Sequence, residues 1–423
     1  MAAKRFFIFL ALVAIQRAYS APVSFKWCVT SLAERAKCQD FIKYVNETAL
    51  NKSLDVSASC VEGSSYDDCA AKIKDNKADL VTLDGGHVYA AGKNNSLVPI
   101  VAEQYGNLKY GVKHYAVAVV KKSNTGFNLK SLKGKNSCHS GARTVEGWNV
   151  PIGYLLREKI IAPVRCDTEF HDFYSVANFF KWSCVPGLIS YEIASEEVSD
   201  KLCGLCTISL DVCSASSSDN AFAGNDGALE CMAAGQGDVA FVKHTTLREA
   251  ADKNPKWNVS DYQHYQYLCK DGTREEIGQH ENCFLGFDPA HAVVTRKNNE
   301  DIDDIVTILT TMGSIYGPKQ TDWTKFQLFN STKYGGVNLL FKDSSTALVS
   351  IPEDNRTYRG YLGDDYVKDT EALKTCETST IKRPTPISFT TIKPQARMPS
   401  NGSSFSNAYY LINLFIFLFF KDL

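Results

Sequence analysis

The chain has 423 residues, of which 44% are hydrophobic and 22% are charged, and its formal net charge is −1. This near-neutral balance gives no support for binding to nucleic acid or to an anionic membrane surface, since both need an excess of basic residues. The length is sufficient for a large hydrophobic core.

The first twenty residues predict a secretory signal peptide. Lys4 and Arg5 precede an apolar segment from Phe6 to Ile15, and Ala18-Tyr19-Ser20 has the pattern of a cleavage site. The apolar segment is too short to span a bilayer, although a start-transfer anchor is the alternative. We therefore expect the mature chain to begin near Ala21.

Short apolar runs that end in turn residues alternate with helical patterns along the next 350 or so residues. Helical patterns cover Ala33–Val45, Tyr66–Lys74, Asn149–Lys159 and Val176–Trp182. Strand patterns cover Ala78–Leu83, Tyr115–Val120, Asp238–Val242 and His291–Thr295, and the first and third of these are typical of buried parallel strands. This alternation predicts an α/β protein whose ligands lie at the carboxyl ends of strands.

The C-terminal part of the chain predicts a stalk and a glycolipid anchor. Residues 377–406 are rich in Thr, Ser and Pro, which is typical of an extended segment. Small residues at 400–404 and the terminal apolar run within 407–423 match a glycosylphosphatidylinositol signal that is removed on attachment. A short tail anchor or a buried helix is the alternative. The expected location is the outer face of the plasma membrane, or the extracellular medium if the anchor is absent.

Cysteines and sequons support the same compartment. The 14 cysteines predict a disulfide framework, while a metal–thiolate alternative rests on Cys203-Gly-Leu-Cys206 alone. Candidate N-glycosylation sites are Asn46, Asn51, Asn94, Asn258, Asn330, Asn355 and Asn401.

Several segments resemble the transferrin family in order. They include Phe25-Lys-Trp-Cys-Val29, Ala78-Asp-Leu-Val-Thr-Leu-Asp-Gly85, Cys138-His-Ser140, Gly237-Asp-Val-Ala-Phe-Val-Lys-His-Thr245 and Tyr358-Arg-Gly-Tyr-Leu-Gly363. The resemblance covers one lobe, residues 24–376, and is greatest to the surface-tethered, melanotransferrin-like branch.

The resemblance implies one lobe of two α/β subdomains, similar to periplasmic binding proteins and joined by two hinge strands. Subdomain 1 would comprise residues 24–102 and 291–376, and subdomain 2 residues 103–290. It also implies the disulfides Cys28–Cys69, Cys38–Cys60, Cys138–Cys231, Cys166–Cys376, Cys184–Cys206, Cys203–Cys213 and Cys269–Cys283.

Members of the family close on one ferric ion and one carbonate. Fe(III) is a hard cation that prefers anionic oxygen ligands and accepts imidazole. By resemblance, Asp84, Tyr105 and His291 match three of the four protein ligands. Each also has an ordinary structural explanation: a turn aspartate, a packing tyrosine and a histidine at a strand end. At the place of a second tyrosine stands Asn225, a weak ligand, followed by Asp226.

The expected carbonate site is also altered. The family places the anion at a helix N-terminus, where free N–H groups and the helix dipole favour it. Ser140 replaces a threonine, and Gly147 matches the family glycine. Thr144 stands at the arginine position with Arg143 one residue earlier. Glu146 stands at a small-residue position, where it would repel carbonate or replace it.

Lys243 and Lys342 match a pair that faces across the cleft in some family lobes. Two ammonium groups close together repel, so one lysine would have a lowered pKa. Acid would then charge both lysines, and their repulsion would open the cleft. The alternative is that the two are separate surface lysines.

These features predict a monomeric surface protein that binds ferric iron with carbonate and is not an enzyme. The alternatives are an adhesion or interaction module without iron, with an unknown partner at the cell surface, and a pocket for another metal or anion.

Overall fold

The computed structural model describes residues 22–51, 55–167, 169–193, 195–206, 213–253 and 259–377. The predicted signal peptide and glycolipid signal lie outside these residues, and so does the predicted stalk except for its first residue, 377. The candidate glycosylation sites Asn258 and Asn401 and the side chain of Asn51 also lie outside them. Within the described ranges no helix combines the length and hydropathy needed to cross a membrane.

Strands and helices alternate along the described chain. The strands are β1 (Val23–Val29), β2 (Val56–Glu62), β3 (Val81–Leu83), β4 (Leu97–Gln104), β5 (Val112–Lys121), β6 (Ser137–His139), β7 (Ser183–Cys184), β8 (Val239–Lys243), β9 (Tyr265–Leu268), β10 (Arg274–Glu276), β11 (Gly286–Pro289), β12 (Ala292–Arg296) and β13 (Ala347–Ser350). The α-helices are α1 (Leu32–Asn51), α2 (Tyr66–Lys74), α3 (Gly85–Asn95), α4 (Val150–Arg157), α5 (His171–Phe179), α6 (Glu196–Cys203), α7 (Gly224–Ala233), α8 (Thr246–Lys253), α9 (Ile302–Tyr316), α10 (Tyr358–Leu362) and α11 (Asp364–Ala372). A π-helical turn, Val145–Asn149, leads directly into α4.

Two larger sheets carry most of the strands. One has the order β13-β4-β12-β3, and the parallel pair β1–β2 lies beside it through a bridge between Trp27 and Leu80. The other has the order β10-β9-β5-β8-β6-β7, with β11 also paired to β5. The α/β class is therefore confirmed, with a buried centre in each sheet, such as β5 from Tyr115 to Val120.

The chain passes between the two sheets twice. It leaves the first sheet after β4 and enters the second at β5, and it returns between β11 and β12. β4 pairs within the first sheet as far as Gln104, which pairs with Ala347. The predicted limits of the subdomains stay predictions, and the two crossings lie beside the predicted ligands.

The last helix of the described residues contacts both halves of the fold. α11 packs against α4, where Arg157 Nε lies 2.8 Å from Asp369 Oδ1 and a Cβ at Gly153 would lie 2.4 Å from the Asp369 carbonyl oxygen. The same helix also contacts the first half, where Glu371 lies 3.3 Å from Lys93 of α3, so its predicted grouping with subdomain 1 stays a prediction.

Local signals predicted helices better than strand partners. α2 has the predicted bounds because Ser65 caps its first turn by accepting the Asp68 N–H. The helix predicted over Val176–Trp182 begins earlier and ends earlier in the structure, because α5 covers His171–Phe179 and β7 follows it. The prediction of parallel strands was also wrong in part: β3 pairs antiparallel with β12, and β8 pairs parallel only with β6.

All seven predicted disulfides are present, and no described cysteine is free. The metal–thiolate alternative is wrong, because Cys203 and Cys206 are bonded to Cys213 and Cys184.

Candidate metal centre

Strand register places two predicted ligands side by side. Ala292 of β12 pairs with Leu83 of β3, so the next positions outward are His291 and Asp84. β12 also pairs with β4, and the Glu103 N–H donates to the His291 carbonyl at 2.9 Å. Asp84, His291 and Glu103 thus meet at one edge of the first sheet, beside the crossings.

Asp84 caps α3 and is half-buried. Its Oδ1 accepts the His87 N–H at 2.9 Å, and its Oδ2 lies 3.0 Å from His87 Nδ1. Burial raises the pKa of Asp84, but the hydrogen bonds from His87 outweigh burial and hold that pKa well below its usual range. The carboxylate is therefore charged, as a metal ligand must be.

His291 is neutral in this environment. Burial, and then the positive charge of Lys342, lower the pKa of His291 to about 3. A neutral imidazole has a free lone pair, so the pair Asp84 and His291 has the protonation that cation binding requires.

Tyr105 is engaged with a buried carboxylate. Its hydroxyl donates to Glu103 Oε2 at 2.5 Å, and Glu103 also accepts from Ser345 Oγ at 2.6 Å. Burial and the charge of Glu103 raise the pKa of Tyr105 far above its usual value. Sequence reasoning missed Glu103, although it stands two residues before Tyr105; a ligand role for Tyr105 requires its phenol to lose both the proton and this partner.

The residues at the second tyrosine position are also engaged. Asn225 Oδ1 accepts the Lys243 N–H at 2.9 Å, and Asp226 forms an exposed ion pair with Lys253 at 3.1 Å. These contacts attach the start of α7 to β8 and α8.

The predicted carbonate site is closely packed. Ser140 Oγ lies 2.8 Å from Thr144 Oγ1, which donates to the Gly141 carbonyl at 2.8 Å. A Cβ at Gly147 would lie 2.0 Å from Ser140 Oγ, so only glycine fits there. Ser140, Thr144 and Gly147 therefore lie together, and their role in binding an anion stays a prediction.

Arg143 is directed elsewhere. Its φ is +58°, its guanidinium carbon lies 5.0 Å from the Phe173 ring centroid, and its Nη2 donates to Asp172 Oδ1 at 2.7 Å. Trp148 Nε1 donates to the other oxygen of Asp172 at 2.7 Å. Arg143 therefore neutralises a buried carboxylate.

Glu146 faces the interior and meets residues that sequence reasoning did not single out. Its Oε1 lies 3.0 Å from His114 Nδ1, and Asp288 nearby pairs with Lys113 at 2.7 Å. Burial raises the pKa of Glu146, but the imidazole of His114 outweighs burial, so the pKa is lowered overall. Burial and the charge of Glu146 raise the pKa of Asp288. No single motif marks His114 and Asp288; they meet because they pair across β5 and β11.

The two predicted trigger lysines have different partners. Lys243 Nζ lies 2.7 Å from Glu249 Oε2. The Lys342 N–H is directed at Glu103, and its charge acts on His291. A lysine pair across the cleft stays a prediction.

A cavity of about 680 Å³ opens beside these groups. His114, His244 and His280 line it, with a ring separation of 4.2 Å between the last two. His244 Nδ1 accepts the Tyr115 N–H at 3.1 Å, and burial together with His280 lowers the pKa of His244 to about 3. The cavity gives solutes a path to the cluster around His114.

Comparison with known proteins gives a consistent result. The family model described as Transferrin matches residues 25–375. The chain is 43% identical over 350 residues to Serotransferrin of Paralichthys olivaceus, which covers 82% of this chain and 44% of that protein. It is 37% identical over 372 residues to Melanotransferrin of Oryctolagus cuniculus (86% and 47%) and 34% identical over 376 residues to Transferrin of Blaberus discoidalis (85% and 48%). The chain thus spans a little under half the length of these relatives.

Proposed function

Because the chain belongs to the transferrin family, we propose that it binds ferric iron as cargo beside the two chain crossings. The observation that carries the proposal is the pairing of a charged Asp84 with a neutral His291, fixed by the register of β3 and β12. A carboxylate and an imidazole supply two of the donor types that Fe(III) accepts.

The proposed affinity is lower than that of a site with two phenolates. Asn225 is a neutral donor and is held by the Lys243 N–H, and the hydroxyl of Tyr105 is held by Glu103. The phenolate that is missing at position 225 removes one negative charge and one strong Fe–O bond, and Tyr105 becomes a ligand only after its phenol leaves Glu103, so the ion is released more readily.

The anion is proposed to come from the protein. The carboxylate of Glu146 accepts its own backbone N–H at the start of the helical segment that continues into α4, where free N–H groups favour a negative charge. Arg143 is paired with Asp172 and does not supply the cation that carbonate would need. Iron binding should therefore depend little on added bicarbonate.

Ferric titration tests the proposal. Purified protein is mixed with ferric nitrilotriacetate, with and without bicarbonate, and bound iron and the tyrosinate-to-iron absorption band are recorded. Asp84→Asn should weaken binding at least tenfold, or about 1.4 kcal/mol, because a charged ligand becomes neutral. Asp226→Asn, in an exposed ion pair, is the matched control and should bind as the unmodified protein does. Failure of the unmodified protein to retain iron, or to show the band, rejects the proposal.

A second candidate function is a surface interaction module that binds no iron. It is favoured by the engagement of Tyr105, Asn225 and Arg143 in contacts within the protein. Deletion of the protein from adhering cells tests it, since unchanged adhesion and no captured surface partner would count against it.

The proposed location is the extracellular face of the plasma membrane, with the protein a monomer held by a glycolipid. Seven disulfides fit an oxidising compartment, and the sequons Asn46 and Asn94 lie exposed. Release of the protein from cells by phosphatidylinositol-specific phospholipase C would support the anchor, and retention after treatment would contradict it.

A further inference from the structure

Three side chains from separate elements converge beside the proposed iron site. His114 lies on β5, Glu146 in the π-helical turn, and Asp288 on β11. One ligand atom from each lies within 4.8 Å of the other two. His114 Nδ1 is 3.0 Å from Glu146 Oε1 and 3.9 Å from Asp288 Oδ2.

The backbone fixes this arrangement. Asp288 and His114 are directly opposite in the antiparallel pair β11–β5, so both side chains lie on one face of the sheet. Glu146 is oriented by a hydrogen bond from its own backbone N–H. Elements that hold ligands in place before binding reduce the entropic cost of binding.

The cluster is buried and incompletely satisfied. The exposed fractions of the side chains are 6% for Asp288, 12% for Glu146 and 24% for His114. The Nδ1 atom of His114 is buried, and its contact with Glu146 is not aligned as a hydrogen bond. Two carboxylates therefore face one imidazole nitrogen that has no well-formed partner, and a shared cation would satisfy all three.

The donor types select the ion. One imidazole nitrogen and two carboxylates suit borderline divalent cations such as Zn²⁺ or Co²⁺, which bind at about 2.0 to 2.2 Å. In tetrahedral geometry such distances separate neighbouring ligand atoms by roughly 3.3 to 3.6 Å. The separations at His114 Nδ1 already lie near this range, so small side-chain rotations are sufficient.

We propose that His114, Glu146 and Asp288 form a binding site for a divalent transition-metal cation, which shares Glu146 with the proposed iron site but uses neither Asp84 nor His291. Lys113 is the internal competitor, because its ammonium lies 2.7 Å from Asp288 Oδ2 and is partly exposed. The cation takes the place of Lys113 at this carboxylate, and the lysine side chain moves toward the adjacent cavity, which it lines.

Titration with cobalt(II) chloride tests the proposal, since coordinated cobalt has a visible absorption band. The purified full-length protein, after chelator treatment, should bind one cobalt ion with such a band, and zinc chloride should displace it. His114→Gln and Asp288→Asn should each weaken cobalt binding at least tenfold. The absence of a band, or cobalt binding that is unchanged in both variants, would overturn the proposal.

Two further variants distinguish a ligand cluster from a structural ion pair. Lys113→Met should tighten cobalt binding severalfold, because Asp288 loses its competitor; a purely structural role predicts lower thermal stability and no tighter binding. Asp226→Asn is the matched control and should leave cobalt affinity unchanged. Thermal unfolding of every variant shows whether it is folded, and Glu146→Gln gives a second conservative test if His114→Gln does not fold.

The cobalt assay is independent of the proposed iron function. Asp84→Asn should weaken ferric binding and leave cobalt binding within twofold, whereas Asp288→Asn should abolish the cobalt band. If Asp84→Asn abolishes the cobalt band too, a site that does not use Asp84 is refuted. If cobalt binds as described while the unmodified protein retains no iron, the divalent site is supported and the iron proposal fails.

Discussion

Arg143 was expected near a bound anion, but it has a structural partner. Its guanidinium pairs with Asp172, whose side chain is fully buried, and lies over the ring of Phe173. Removing one partner of a buried charge pair leaves the other charge unpaired, which is costly. The residue that resembles an anion ligand in the sequence therefore stabilises the fold.

We expect Arg143→Ala to lower the free energy of unfolding by about 2 kcal/mol, the magnitude of a lost hydrogen bond to a buried charge. Ferric and cobalt affinities should change by less than twofold. Arg165→Ala removes an exposed pair with Asp167 and is the control, with an expected change below about 0.5 kcal/mol. Urea unfolding gives both values, and a loss of metal binding without a loss of stability would restore an anion role for Arg143.

His139 makes stability depend on pH. It is fully buried, its Nδ1 donates to the Gly147 carbonyl at 2.8 Å, and burial lowers its pKa from 6.5 to about 4. Between these two values the unfolded chain binds one more proton than the folded protein, so stability present above pH 6.5 is lost as pH falls. The full effect is about 3 kcal/mol.

His139→Gln should remove that part of the pH dependence. Urea unfolding at pH 7 and at pH 4.5 gives, for each protein, the slope of the unfolding free energy against pH. The variant should lose less stability on acidification. The exposed His264→Gln variant should have the slope of the unmodified protein. Equal slopes for all three proteins would contradict the assignment.

At the scale of elements, α3 and the second crossing are in close contact. A Cβ at Gly85, the first residue of α3, would lie 2.9 Å from Pro289 Cγ, and Pro289 stands two residues before His291. This contact sets how closely the start of α3 approaches the second crossing, beside Asp84 and His291. The geometry of the proposed iron site therefore depends on one glycine that binds nothing itself.

Gly85→Ala should move α3 away from the crossing, lower the unfolding free energy by roughly 1–3 kcal/mol and weaken ferric binding. Gly86→Ala in the same turn meets only Asp84 Oδ1 at 3.4 Å, an ordinary contact, and is the matched control. Thermal unfolding and ferric titration compare the two. Equal ferric affinities would show that the contact does not position Asp84.

Elements with local signals were predictable, while pairings between distant strands were not. Ser65 and the periodicity of Tyr66–Lys74 determine α2 within ten residues of sequence. The direction of β3 depends on β12, more than 200 residues away, so a short apolar run could not reveal it. The same reason explains the site: Asp84 and His291 were found by resemblance, whereas His114 and Asp288 become neighbours only through the register of β5 and β11.

At the scale of the whole molecule, one disulfide joins the segment that follows α11 to the second half of the fold. Cys166 and Cys376 are separated by 210 residues, and the Cys166 N–H donates to the Glu377 carbonyl at 3.2 Å. Cys203–Cys213 closes a loop with a separation of only 10 residues. A cross-link restricts the unfolded chain more when its loop is longer.

Replacing Cys166 and Cys376 with serine should therefore destabilise the protein more than replacing Cys203 and Cys213. The loop-entropy relation gives a difference of about 2 to 3 kcal/mol between the two double variants. Both variants replace two cysteines with serines and differ mainly in the length of the loop that is released. Urea unfolding under non-reducing conditions therefore measures the effect of loop length on stability. Because α11 packs on α4 just before Cys376, the long-range variant should also lose protection from proteolysis in α11. Equal stability of the two variants would show that packing of α11, rather than the covalent link, holds this segment in place.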